Sequence, residues 1–169
     1  MGLEDVRAVV CDVDGVLTDG GILLADDGTE IKRFHVWDGT GIKYLLRSGI
    51  AVAFLTGRES GAVARRALEL GVAHVRQGAK QKLPVYEELL TALGVDDAGV
   101  CYIGDDLTDL PVMWRAGVAV AVADAREEVR AAADLVMAAR GGQGALRELA
   151  EAVLKAQGKW AGILARYTE

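Results

Sequence analysis

The stretch "VVCDVDGVLTDGG", residues 9–21, closes an apolar run with Asp12 and Asp14 one residue apart, and Asp19 follows soon after. Two carboxylates at a strand tip repel each other and lose water, and a bound cation offsets both penalties. The run itself, "VRAVVC" at 6–11, has the length and composition of a strand buried on both faces. Similar runs recur as "IAVAFL" at 50–55, "VAHV" at 72–75, "GVCYI" at 99–103, "VAVAV" at 118–122 and "DLVM" at 134–137.

Segments of helical period lie between them. Ile42, Leu45 and Leu46 share a face over 40–47, and Val63, Ala67 and Leu70 do so over 60–70. Leu83, Tyr86, Leu89, Leu90 and Leu93 repeat the pattern over 83–93. Buried strands alternating with amphipathic helices predict an α/β fold, a Rossmann-like parallel sheet flanked by helices, with the first strand central. One segment breaks the alternation: "GILLADDGTEIKRFHV", 21–36, carries an Asp-Asp-Gly turn and reads as a β-hairpin. Residues 1–169 form one domain, with a helix from about 144 and a mobile tail over about 158–169.

Composition narrows the function classes. The chain has 169 residues, and 51% are apolar, which suits one globular domain with a sizeable core. A net charge of -6 argues against a nucleic-acid surface. No apolar stretch is long enough to span a bilayer, and no basic-then-apolar leader opens the chain. Cys11 and Cys101 lie in apolar runs without partners at metal-ligand spacing, so they read as buried thiols of a reducing, cytoplasmic compartment.

Three strands end in reactive residues: Asp12-Val-Asp14-Gly15, Thr56-Gly57-Arg58, and Gly104-Asp105-Asp106-Leu107-Thr108-Asp109. In an open parallel sheet the carboxyl ends line the ligand crevice, so these tips can converge. Asp12, Asp14 and Asp105 supply hard oxygen ligands, which suit Mg²⁺. Asp12 can then attack phosphorus to form an aspartyl phosphate, while Asp14 protonates the leaving oxygen and later activates water. The Thr56 hydroxyl and a lysine would hold the transferring phosphoryl group. Lys80 and Lys82 in "GAKQKLP" are the candidates, and Lys82 stands at a predicted helix start.

"DVDGVLTDG", "LTGR", Lys82 and "GDDLTD" resemble the four signature motifs of the haloacid dehalogenase-like phosphatase superfamily. "FHVWDGTGIKYLL" (34–46), "GDDLTDLPVM" (104–113), "AVADA" (121–125), "RGGQGALREL" (140–149) and "VLKAQGKW" (153–160) are similar to its 3-deoxy-D-manno-octulosonate 8-phosphate phosphatase family. That resemblance implies a Mg²⁺-dependent hydrolase of a sugar-acid phosphate in lipopolysaccharide biosynthesis. Asp12 would be nucleophile and metal ligand, Asp14 would be acid/base and lend the metal its main-chain carbonyl, and Asp105 would complete the metal shell. Thr56 and Lys82 would hold the phosphoryl group. Asp109 would either orient metal-bound water or brace the loop, and Asp106 has no assigned role.

For the sugar acid, the resemblance implies contacts from His35, Val36, Trp37, Asp38, Gly39, Arg58 and Arg66, besides Asp14 and Lys82. Arg58 and Arg66, eight apart, would sit on one side of a helix, and His74 reads as structural. The chain has no room for a cap domain between its motifs, so the family implies a homotetramer built on the hairpin. Arg140 of "RGG" would then reach a neighbouring site. A nine-carbon sugar-acid 9-phosphate, a phospho-switch module and a non-catalytic oligomerisation module are the alternative readings.

Overall fold

A strand whose side chains are apolar on both faces needs cover on both sides, and Ala8, Val9, Val10 and Cys11 are all completely buried. The computed structural model, which describes residues 2–168, supplies that cover. β1 (Ala8–Cys11) is followed by the short strands β2 (Leu23–Leu24) and β3 (Glu30–Ile31), and then by α1 (Val36–Arg47). β4 (Ala51–Leu55), α2 (Gly61–Leu70), β5 (His74–Arg76) and α3 (Lys82–Leu93) come next. β6 (Val100–Gly104), α4 (Leu110–Met113), β7 (Val118–Ala121), α5 (Glu127–Ala132) and β8 (Leu135–Val136) lead to α6 (Ala145–Ala156) and α7 (Trp160–Ala165).

The main sheet has the order β5-β4-β1-β6-β7-β8 and every pairing in it is parallel. The order in which strands are added reverses beside β1, which makes the crevice between β1 and β6 the topological switch point. Register then aligns the reactive tips. Cys11 pairs with Phe54 on one side and Ile103 on the other, so Asp12, Thr56 and Asp105 all leave the sheet within one residue of the same level.

The predicted hairpin forms, with β2 and β3 antiparallel around Gly28, but it stops short of residue 36. His35 is in extended conformation, and its Nδ1 accepts the Trp37 amide at 3.2 Å, which makes it the N-cap of α1. The "HVWDG" segment is therefore the start of a helix rather than part of the hairpin arm. Arg58 and Arg66 do not share a helix either, since α2 begins only at Gly61.

The predicted mobile tail is instead anchored along 160–168. Trp160 packs edge-on against Tyr44 with centroids 6.0 Å apart, Ile163 is buried, and the Tyr44 and Tyr167 hydroxyls meet at 2.9 Å. Weak periodicity misled because α7 has only one buried residue of its own and rests on aromatic contacts with distant positions.

Asp38 ties two helices together. The residue preceding α6 is Gly144, which has no side chain to cap the helix. Asp38, only 2% exposed, fills that role from α1, and its Oδ1 accepts the Arg147 amide at 2.9 Å. Asp38→Ala should therefore lower the unfolding free energy by about 1–3 kcal/mol, the usual cost of leaving a buried donor without its acceptor. Urea denaturation measures it.

Candidate active site

The loop after β1 is ordered by its own backbone. The Val13 carbonyl accepts the amides of Val16, Leu17 and Thr18, and the Thr18 hydroxyl accepts those of Gly15 and Gly20 at 3.3 and 3.2 Å. Gly15 adopts φ +90°, and a Cβ there would lie 2.1 Å from Asp105 Oδ2. Only glycine lets the third tip close over the first.

Asp12, Asp14, Thr56, Lys82 and Asp105 line one open cleft of about 470 Å³ at the switch point, with Arg58 and Lys80 also in its wall. Lys82 opens α3 and its ammonium is buried. It bridges Asp12 Oδ2 at 2.8 Å and Asp109 Oδ1 at 2.6 Å. Burial pulls its affinity for the proton down, but Asp12 and then Asp109 outweigh that and hold it above the ordinary lysine range. Asp12 is pushed up to about 6, chiefly by burial, against the pull of Lys82. Thr56 Oγ1 lies 3.5 Å from Asp14 Oδ2.

Asp105 is the unsatisfied member. Its Oδ1 is buried without a hydrogen-bond partner, and burial, followed by the charges of Asp12 and Asp109, pushes its carboxyl up to about 8. Carboxylate oxygens of Asp12, Asp105 and Asp109 lie within 4.8 Å of one another. A hard divalent cation fits this set, because it would satisfy the orphaned oxygen and relieve the repulsion. Asp109 belongs to the cluster by distance, yet its oxygens are already engaged. Lys82 and the Tyr102 hydroxyl, at 2.5 Å, donate to Oδ1, and the amides of Asp105 and Asp106 donate to Oδ2 at 2.9 and 3.2 Å. Of the two roles open to it, bracing the loop accounts for every one of these bonds. Asp106 caps the turn at Leu107–Asp109 by accepting the Leu107 amide.

The other sequence-chosen residues do not enter this cleft within one chain. Arg66 lines a separate hollow of about 500 Å³ beside the hairpin, with Phe34 and Glu69, and pairs with Glu69 at 2.9 Å. Gly39 packs under the Arg66 guanidinium. Val36 and Trp37 face solvent, while Asp38 is the buried cap already described. His74 begins β5, half-buried, away from the cleft. Arg140 pairs with Asp124 at 3.2 Å. The glycine beside it, Gly141, presses so closely on the Gly15 carbonyl that a Cβ would lie 1.8 Å away.

Two residues escaped sequence reading. Lys32 and Glu30 project from the same side of the hairpin arm, and Lys32 contacts Asp14. Their spacing of two in "EIK" was the available signal, since alternate strand residues share a face.

Residues 71–149 match the haloacid dehalogenase-like hydrolase family. The chain is 46% identical over 156 residues to the 3-deoxy-D-manno-octulosonate 8-phosphate phosphatase of Escherichia coli (strain K12), covering 92% of this chain and 83% of the relative. The Yersinia pestis 3-deoxy-D-manno-octulosonate 8-phosphate phosphatase superposes with a TM-score of 0.93 at 45% identity, over 95% of this chain and 86% of that one. The Moraxella catarrhalis phosphatase of the same name, solved with magnesium ion, phosphate ion and a KDO molecule, gives a TM-score of 0.95 at 41% identity. It covers 98% of this chain and 95% of its own.

Because the Asp105 carboxyl is raised above the ordinary value of about 4, the cation-free fold holds an extra proton there and loses that stabilisation as pH climbs toward 8. A divalent cation competes with the proton. Magnesium should thus raise Tm more at about pH 8 than at about pH 6, and differential scanning fluorimetry at the two pH values checks it.

Proposed function

The chain belongs to the haloacid dehalogenase-like hydrolases, in the 3-deoxy-D-manno-octulosonate 8-phosphate phosphatase family, and on that premise we infer its reaction. It is a Mg²⁺-dependent phosphatase that hydrolyses 3-deoxy-D-manno-octulosonate 8-phosphate to the free sugar acid and inorganic phosphate. The observation that carries this reading is the meeting of Asp12, Asp14, Thr56, Lys82 and Asp105 in one cleft. The relatives named above act on the eight-carbon substrate, which favours it over the nine-carbon one.

The roles follow from chemistry. An Asp12 oxygen attacks phosphorus, and the bond from phosphorus to the sugar oxygen breaks as Asp14 gives that oxygen a proton. Water then attacks the aspartyl phosphate, Asp14 takes the proton, and phosphate leaves. Lys82 is held against Asp12 and Thr56 beside Asp14, so a cation and a hydroxyl wait where the phosphoryl oxygens gather. Asp12, Asp105 and the Asp14 carbonyl would hold Mg²⁺, which neutralises charge on the substrate phosphate and on the carboxylates. Asp14 also disfavours a phospho-switch, because an acid/base beside the phosphoenzyme speeds its hydrolysis.

A homotetramer fits the same reading. Ile22, Leu23, Leu24 and Ile31 are each about half exposed or more on the hairpin, an apolar face that association would cover. Arg66, Arg140 and the 35–39 segment lie outside their own chain's cleft, which suits service to a neighbour's site. Two buried thiols and the absence, among the described residues, of a helix able to cross a membrane accord with a cytoplasmic enzyme.

Asp12→Asn should cut kcat by at least about 10³-fold while the chain still folds, as phosphate release and circular dichroism will report. Arg140→Ala should raise KM for the sugar-acid phosphate far more than for a small phosphate ester without a carboxylate. Equal effects on both, or a monomer in light scattering at assay concentration, contradict closure by a neighbour.

A further inference from the structure

The hairpin brings a cation to the acid/base that the scheme above leaves unused. The Lys32 side chain is only 2% exposed, although it directly follows a two-residue strand at the surface. A lysine that deep needs paired charges. Its Nζ donates to Asp14 Oδ1 and lies 3.3 Å from Glu30 Oε1, while Glu30 Oε2 accepts Arg58 Nη2 at 2.6 Å. The chain Asp14–Lys32–Glu30–Arg58 pins the hairpin to the cleft wall.

This contact makes the two oxygens of Asp14 unequal. Oδ1 is held by Lys32, whereas Oδ2 turns toward Thr56, on the side where the phosphoryl group is gathered. We propose that Lys32 is a positioning residue for proton transfer: it clamps Oδ1 so that Oδ2 is the oxygen that gives and retakes the proton. The inference rests on the reading of Asp14 as acid/base. In the first step the Oδ2–H bond breaks as the phosphorus–oxygen bond of the substrate breaks, and the proton ends on the sugar hydroxyl. In the second step Oδ2 takes the proton of the attacking water. A carboxylate free to turn about its last torsion would present the proton in the right line only part of the time, and general acid catalysis needs hydrogen-bond reach.

A mere anchor for the hairpin and a clamp for the acid differ in one measurable way. A weakly basic leaving group needs no proton, whereas an alkoxide does. Values of kcat/KM report the steps up to loss of the alcohol, so they isolate the first transfer. For Lys32→Met we expect a loss of about tenfold or more on a simple alkyl phosphate but under about threefold on p-nitrophenyl phosphate. Lys32→Arg, which keeps a cation against that oxygen, should stay near the wild-type ratio. If Lys32→Met does not fold, Glu30→Gln loosens the same lysine and should show a smaller loss with the same bias toward the alkyl ester. Equal losses on both esters, or none, overturn the clamp. Failure of the underlying reading looks different: Asp14→Asn would then match wild type on the alkyl ester.

Discussion

A single buried ammonium organises the reactive end of this molecule. Lys82 sits between Asp12 and Asp109, where water scarcely reaches the first two charges and does not reach the third, so each leans on the others for compensation. Asp109 passes the constraint on. It takes two amides of the loop after β6 and the Tyr102 hydroxyl from within that strand, so the loop bearing Asp105 is built around the lysine's counter-ion. With all three carboxylates ionised, the cluster of Asp12, Asp105, Asp109 and Lys82 carries a formal charge of -2. A divalent cation is the charge that this arrangement lacks.

What was legible in the sequence was the part governed by short-range pattern. Apolar runs and helical periods placed all six strands of the main sheet and the larger helices, and polar residues at three strand ends marked the cleft. Contacts made across the chain were not legible. Asp38 reads as a surface or ligand residue until its partner, 109 positions away, turns out to be an uncapped helix amide. Lys32 looks like an ordinary charge on a turn, and its burial depends on how the hairpin folds back over Asp14. Arg58 and Arg66 suggested a shared helix by spacing, but the helix starts between them.

The cleft divides its tasks between rigid and superficial elements. The candidate nucleophile, phosphoryl-binding groups and cation ligands stand on the tips of β1, β4 and β6 or at the first turn of α3, held by the buried central strands of the sheet. The hairpin and the residues around Arg66 are half-exposed and reach the chemistry only through side chains. On the proposed roles, phosphate chemistry is tied to the core, and discrimination between phosphate esters falls to surface segments that can vary without disturbing it.

The pressing of Gly141 onto the Gly15 carbonyl has a consequence for biosynthesis. The loop after β1 is made well before the parts that complete it, since it is flanked by β6 and overlaid by a glycine far downstream. The Gly142 amide also donates to the Val16 carbonyl, so this lid of backbone is bonded to the loop as well as packed on it. Such long-range pairing slows folding. A nascent chain therefore carries Asp12 and Asp14 without a finished place to put them until the segment around Gly141 has also been made.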